Sequence, residues 1–258
     1  VMEIMYPWQI IQQNARAMEM DVQLLKSTRR FQKPSSTNKI IGSSLLIEKG
    51  AIMEHCIINA TEGSVYIGKN AVIMEGTLIR GPVSVGEGAV VKMGSRIYGA
   101  TTIGPGCTVG GEIKNSVLLG FSNKAHDGYL GDSVIGEWCN LGAGTSNSNL
   151  KNNAAPVWIH TLHGLRQVGL KCGVMMGDYS KTAINTSINT GTVIGVCANV
   201  FGHGLTPKYI PSFSWGSEGI TRYQLEKALA DLDNWKSFKG QSLLENERTI
   251  LKHIFENF

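Results

Sequence analysis

Arg96 and Lys114 stand eighteen residues apart in this 258-residue sequence. His126 follows in a stretch of different character, Ser122-Asn-Lys-Ala-His-Asp-Gly-Tyr129. A guanidinium fork and an ammonium point charge brought to one surface make a site for an anion such as a sugar phosphate. An imidazole that titrates near neutrality can take a proton from an attacking amine or hydroxyl. The plainer alternatives are two cations splayed into solvent and a loop histidine bonded to a backbone carbonyl. What folds between these residues decides whether they meet.

Between and around them a large aliphatic residue recurs every six positions: Ile67, Ile73, Ile79, Val85, Val91, Ile97, Ile103 and Val109. Smaller residues follow four positions behind each, among them Ala71, Thr77, Ala89, Ser95, Thr101 and Cys107. A period of six fits neither the 3.6 of a helix nor the simple alternation of a half-buried strand. It marks a solenoid in which each hexad supplies one short strand and one corner, and three hexads close a coil. Ile67, Val85 and Ile103 should then stack as neighbouring parallel strands. Arg96 and Lys114, one eighteen-residue coil apart, should project from one face on adjacent strands, where like charges repel unless an anion lies between them.

The pattern is also present at Ile41, Ile47 and Met53. It lapses at Asn115, where an anchor is due, and resumes at Tyr129, Ile135 and Leu141. Residues 115–128, which include His126, are therefore expected to leave the coil, and departures are where solenoids carry function. A longer departure covers residues 146–171, and hexads return at Met176, Thr182, Ile188, Ile194 and Val200. The hexads counted make about six coils.

The fold class expected is an all-β solenoid with flanking helices, organised as a helix over 1–30, the solenoid over 31–204, and a loop with two helices over 205–258. In the first helix Pro7 precedes Trp8, Ile11, Ala15, Met18, Val22 and Leu25 at spacings of three or four. Its apolar face must pack on the solenoid, on another subunit, or on a preceding domain. Leu225, Leu229 and Leu232 mark the second helix, and a capping box, Ser242-Leu-Leu-Glu245, opens the third.

The composition, 42% hydrophobic and 17% charged, is that of an ordinary folded soluble chain. The net charge of +4 comes from scattered Lys and Arg, so no nucleic-acid footprint is expected. No apolar run approaches the roughly 18 residues that cross a bilayer, and no signal peptide opens the chain. Five cysteines are odd in number, and Cys107 and Cys139 occupy small-residue slots, which suits reduced core thiols in a cytoplasmic protein. Gly63-Ser-Val-Tyr-Ile-Gly68-Lys69-Asn70 imitates a phosphate-binding loop but lacks the closing Ser or Thr and the following helix. His160 and His163 have no third histidine one coil away, so no metal site is expected.

Several motifs go beyond the hexads: Gly110-Gly-Glu-Ile-Lys-Asn-Ser-Val, His126-Asp-Gly-Tyr-Leu-Gly-Asp-Ser-Val-Ile-Gly136, Asn140-Leu-Gly-Ala-Gly-Thr145, Asn149, Met176-Gly-Asp-Tyr-Ser and Phe213-Ser-Trp-Gly. Together they resemble the acetyltransferase half of the bifunctional N-acetylglucosamine-1-phosphate uridylyltransferase/glucosamine-1-phosphate acetyltransferases. More narrowly they resemble the variant of Bacteroidetes-type bacteria, often labelled sugar nucleotidyltransferase or glucose-1-phosphate thymidylyltransferase. The resemblance implies a left-handed parallel β-helix, a homotrimer, and acetyl-CoA bound between subunits as acyl donor, with no metal needed for the transfer. It makes His126 the general base and Arg96 and Lys114 the holders of a sugar phosphate. Tyr129, Asn140 and Asn149 become acceptor contacts, and Ala143 and Asp178 lie on the acetyl-CoA side. The nucleotidyltransferase half, with its glycine-rich start, has no counterpart here, and an upstream domain of that kind would join ahead of the first helix. Two other readings are an acyltransferase for another sugar 1-phosphate and a non-catalytic solenoid that trimerises an attached nucleotidyltransferase.

Overall fold

A computed structural model describes residues 2–257. Three short parallel sheets form the sides of a triangular solenoid. The first runs from Lys39–Ile41 through Ile57–Asn59, Leu78–Arg80, Arg96–Tyr98 and Glu112–Lys114 to Tyr129–Gly131. The second has nine strands among the described residues, from Leu45–Ile47 to Tyr209–Ile210, and the third has eight, from Ile52–Met53 to Asn199–Val200. Along the second sheet Ile47, Ile67, Val85, Ile103, Leu118, Ile135, Met176, Ile194 and Ile210 stand in one paired column. All of them are buried, so the solenoid's interior is one continuous apolar core. The expected stack of Ile67, Val85 and Ile103 is part of it. The false phosphate loop lies in the strand Val65–Ile67 and the corner that follows.

The nine levels exceed the six expected because not every coil is built of three hexads. After Val109 the inward residues are Ile113, Leu118, Lys124, Leu130 and Ile135, at spacings of four, five, six, six and five. Residues 115–128 therefore do not leave the coil; they supply the strands Val117–Leu118 and Asn123–Lys124. Lys124 fills an anchor slot and so hides the repeat. Tyr129 faces outward and Leu130 inward, just as Ile41 is exposed and Ile40 packs on the core.

The shortest step is the corner at Gly110-Gly111. Gly111 has φ +74°, and a Cβ there would lie 2.9 Å from backbone atoms of His126, Asp127 and Gly128. Only glycine lets the chain turn that tightly beneath the next level. The coil is thereby sixteen residues long, with Ile97 opposite Ile113. Arg96 consequently faces Glu112 and Lys114 faces Tyr98, instead of the two cations facing each other.

One outer face is covered and one corner is capped. Helix α1 (Trp8–Thr28) lies on the second sheet, so the solenoid itself takes its apolar stripe of Trp8, Ile11, Met18 and Val22. Asn14 completes the buried stripe where Ala15 is exposed, donating to the Ala100 carbonyl at 2.6 Å and accepting from the Thr102 hydroxyl at 2.9 Å. The longer departure is a β-hairpin, Val157–Thr161 with Gly164–Gly169, that packs with Trp8, Ile11, Val134 and Met175. His160 lies on this hairpin and His163 in its turn.

Helices α2 (Leu225–Ser237) and α3 (Glu245–Asn257) form a cap over the corner that joins the second and third sheets. There Phe121, Trp138, Tyr179 and Phe213 occupy left-handed positions that earlier coils give to Gly88 and Gly106. The aromatics meet the cap: the Lys236 ammonium sits 5.1 Å from the Trp138 ring and 2.6 Å from Glu247. Asp233 and Glu247 take the amides of Leu243 and Leu244 ahead of α3, in place of the expected Ser242–Glu245 box. The five cysteines are buried and free, and burial pushes the thiols of Cys107 and Cys139 up to about 11 and about 12. The outer face of the first sheet stays open, with Ile57, Leu78 and Arg96 exposed on it.

Candidate active site

The open face divides into two columns set by strand register. Leu78, Arg96, Glu112 and Tyr129 form one; Arg80, Tyr98, Lys114 and Gly131 form the other. Residues two apart on a strand share a face, so Arg96 and Lys114 do project from the same side, on a diagonal. Between them the Glu112 carboxylate lies 3.8 Å from the Arg96 Nε and accepts the Tyr98 hydroxyl at 2.7 Å. That hydrogen bond, with burial, pushes the Tyr98 phenol up to about 12. The Lys114 ammonium stands 5.6 Å from the Tyr98 ring centre. Beside the cations is an open groove of about 460 Å³, floored by Ile41, Ile57 and Leu78.

At the other end of the face Tyr129 folds over Gly131, whose missing side chain makes the room: a Cβ there would meet the Tyr129 oxygen at 2.2 Å. The Asn149 amide donates to that oxygen at 3.1 Å and also to Asp132. Asn115 donates to the second Asp132 oxygen at 2.6 Å. Asp132 is buried and left-handed, φ +49°, and its carboxylate accepts from both amides, fixing Asn149 against the phenol. Burial raises the Tyr129 phenol above its ordinary range.

His126 stands exposed at the corner where the third sheet passes into the first, three residues before Tyr129. The next level's corner is tied to it by the Gly144 N–H, which donates to the Asp127 carbonyl at 3.0 Å. Ala143 is in that second corner. The Gly142 N–H is committed to Thr182, whereas the Ala143 N–H donates to no protein group among the described residues. An edge carrying an imidazole and a spare N–H thus borders a face carrying cations, phenols and amides.

Within one chain Arg96, Lys114, Tyr129 and Asn149 share the face, and His126 and Ala143 share its edge. Asn140 does not join them: it lies on the outer side of the third sheet, between Asn123 and Lys181. Asp178 is on a different corner, accepting the Glu137 N–H at 2.7 Å. Sequence reasoning missed Tyr98, Glu112 and Asp132. Outward alternation about Arg96 and Lys114 would have found the first two, but nothing local marks Asp132.

No family model matches the chain. Over 84 residues, 33% of this chain, it is 37% identical to the bifunctional protein GlmU of Methanocaldococcus jannaschii, covering 21% of that protein. Over 91 residues it is 36% identical to a bifunctional sugar-1-phosphate nucleotidylyltransferase/acetyltransferase of Sulfurisphaera tokodaii, covering 35% of this chain and 23% of that one. The longest of these likenesses is to an uncharacterized acetyltransferase of Escherichia coli, YaiX: 38% identity over 146 residues, 55% of this chain and 64% of YaiX. The chain thus spans about a fifth of the length of the bifunctional relatives it matches.

Proposed function

We propose that this chain transfers an acetyl group from acetyl-CoA to the amine of glucosamine 1-phosphate, a step toward UDP-N-acetylglucosamine. The observation that carries the reading is the placement of Arg96, Lys114, Tyr129 and Asn149 on one open face with His126 at its edge. The word acetyltransferase in the names of two partial relatives, those of Sulfurisphaera tokodaii and Escherichia coli, supports it.

Arg96 and Lys114 would hold the phosphate, which enters where Glu112 now balances them. Tyr129, locked by Asn149 and Asp132, would orient the sugar ring. Acetyl-CoA supplies a thioester carbonyl as the electrophile. His126 takes the proton that the amine sheds as its C–N bond forms. The Ala143 N–H faces the charge that develops on the carbonyl oxygen. When the C–S bond breaks, the proton held by His126 goes to the departing sulfur, and coenzyme A leaves as a thiol.

A homotrimer would account for Asn140 and Asp178, which would serve a site completed by a neighbouring copy. Cytoplasmic location, the kinship with the Bacteroidetes-type variant and an upstream nucleotidyltransferase domain belong to the same reading. The test is release of coenzyme A thiol by the purified chain given acetyl-CoA and glucosamine 1-phosphate. His126→Ala should lower kcat about 10²- to 10⁴-fold. An unchanged rate in a folded His126→Ala protein refutes the assignment of the base. Transfer to other sugar 1-phosphates but not this one moves the acceptor.

A further inference from the structure

The inward column of the third sheet contains Met53, Ile73, Val91, Val109, Leu141, Thr182 and Val200, and in their midst Lys124. This lysine is 2% exposed. Its amine donates to the main-chain carbonyl of His126 at 2.5 Å and, among the described residues, forms no ion pair. Asp127 attracts the ammonium and Arg96 repels it, so the amine points from the interior toward the corner beside the open face. Burial outweighs Asp127 and brings the amine down to about 8. An ammonium enclosed by aliphatic neighbours without a carboxylate partner is a net cost to folding, and an apolar residue would serve this slot better. Groups placed at such a cost cluster at working sites.

We propose that Lys124 is a positioning residue of the transfer site, whose amine grips the His126 carbonyl and thereby sets the corner that aims the imidazole at the first sheet's face. This rests on the acetyl-transfer reading above for its kinetic arm only. The grip is one of few constraints on the corner. The Asp127 and Gly128 carbonyls are taken by the Gly144 and Glu112 amides, and the amine is the partner found for the His126 carbonyl among the described residues. Lys124 touches no reacting atom in this scheme.

Lys124→Met keeps an unbranched chain in the column and removes the donor. We expect kcat to fall about tenfold to a hundredfold, the scale of a misplaced catalytic group, with KM for the sugar phosphate nearly unchanged and melting temperature equal or higher. In a His126→Ala background the same change should have no further effect on kcat. The His126 ring resonances should shift in the NMR spectrum of Lys124→Met, a readout independent of any activity. A kcat within twofold of the parent, an equal loss in the His126→Ala background, or unshifted ring resonances overturns the proposal. If the Met variant does not fold, Lys124→Leu, which also lacks a donor, takes its place: shifted ring resonances support the grip and unshifted ones overturn it. Should His126→Ala itself leave transfer intact, the base assignment has failed, and the ring resonances alone decide the grip.

Discussion

Residues 65–109 and 110–149 are consecutive lengths of one solenoid and share one core, yet they differ at their corners. In the first length inward residues recur every six positions and the corners at Gly88 and Gly94 are open, with nothing within 4 Å of where a Cβ would stand. In the second the spacing contracts, the corners carry His126, Asp132 and Trp138, and an inward slot holds a lysine. Identical levels can only stack identical groups. A site needs unlike groups close together, and a shortened corner supplies them by sliding one strand past the next. Removing two residues at Gly110-Gly111 puts Glu112, not Lys114, opposite Arg96, replacing a repulsive cross-strand pair with an attractive one. Both cations stay on the face, available to an anion.

Four measurements test the contrast. The interior should be equally demanding in both lengths: Ile103→Ala and Ile135→Ala are each expected to lower unfolding free energy by about 2–5 kcal/mol in urea titrations. A large loss at one and a negligible loss at the other would mean that the two lengths do not share a core.

Lys124 should separate them by pH. Its folded value, about 8, lies below the ordinary lysine value of 10.5. Between those values the unfolded chain binds the extra proton, so this group makes stability rise with pH from about 8 to 10.5 and withholds it below 8. The size is about 3 kcal/mol at 1.36 kcal/mol per unit. Unfolding curves of the parent and Lys124→Met across that range should differ by this rise, and parallel curves would contradict it.

On the open face, Arg96→Ala or Lys114→Ala should raise KM for the sugar phosphate by about tenfold to a hundredfold, as for loss of a charged hydrogen bond worth about 1.5–3 kcal/mol. Melting temperature should barely move, because both side chains are at least partly exposed. Smallest is the corner effect. Gly88→Ala should cost about 1 kcal/mol for its left-handed backbone alone, whereas Gly111→Ala must also displace the His126–Gly128 backbone and should cost about 2–3 kcal/mol. Equal losses in thermal unfolding would remove the tight corner as a cause.

Much of the fold was legible because burial leaves a periodic trace. Ile67, Val85 and Ile103 could be stacked from spacing alone, and α1 announced its stripe, apart from Asn14, whose hydrogen bonds to Ala100 and Thr102 no pattern of apolar residues can show. The trace failed where corners change length. After Val109 the hexad rule passed over Ile113 and Leu118 as anchors and could not accept Lys124 as one. For the site, Arg96, Lys114, Tyr129 and Asn149 did share a face, while Asn140 and Asp178 lie elsewhere on the chain.

Wherever the six-residue spacing holds, from Ile67 to Val109, spacing alone told inward from outward side chains, whereas Tyr129, Ile41 and Lys124 took the orientation opposite to the one their types suggest. Alternation survives the loss of two residues, so Arg96 and Lys114 remained on one surface in the sixteen-residue coil. Which outward residues are neighbours came from the folded coil, because register depends on the sum of strand and corner lengths around a whole turn. That sum placed Glu112 between the cations, Asp132 behind Asn149, and the amine of Lys124 beneath the carbonyl of His126.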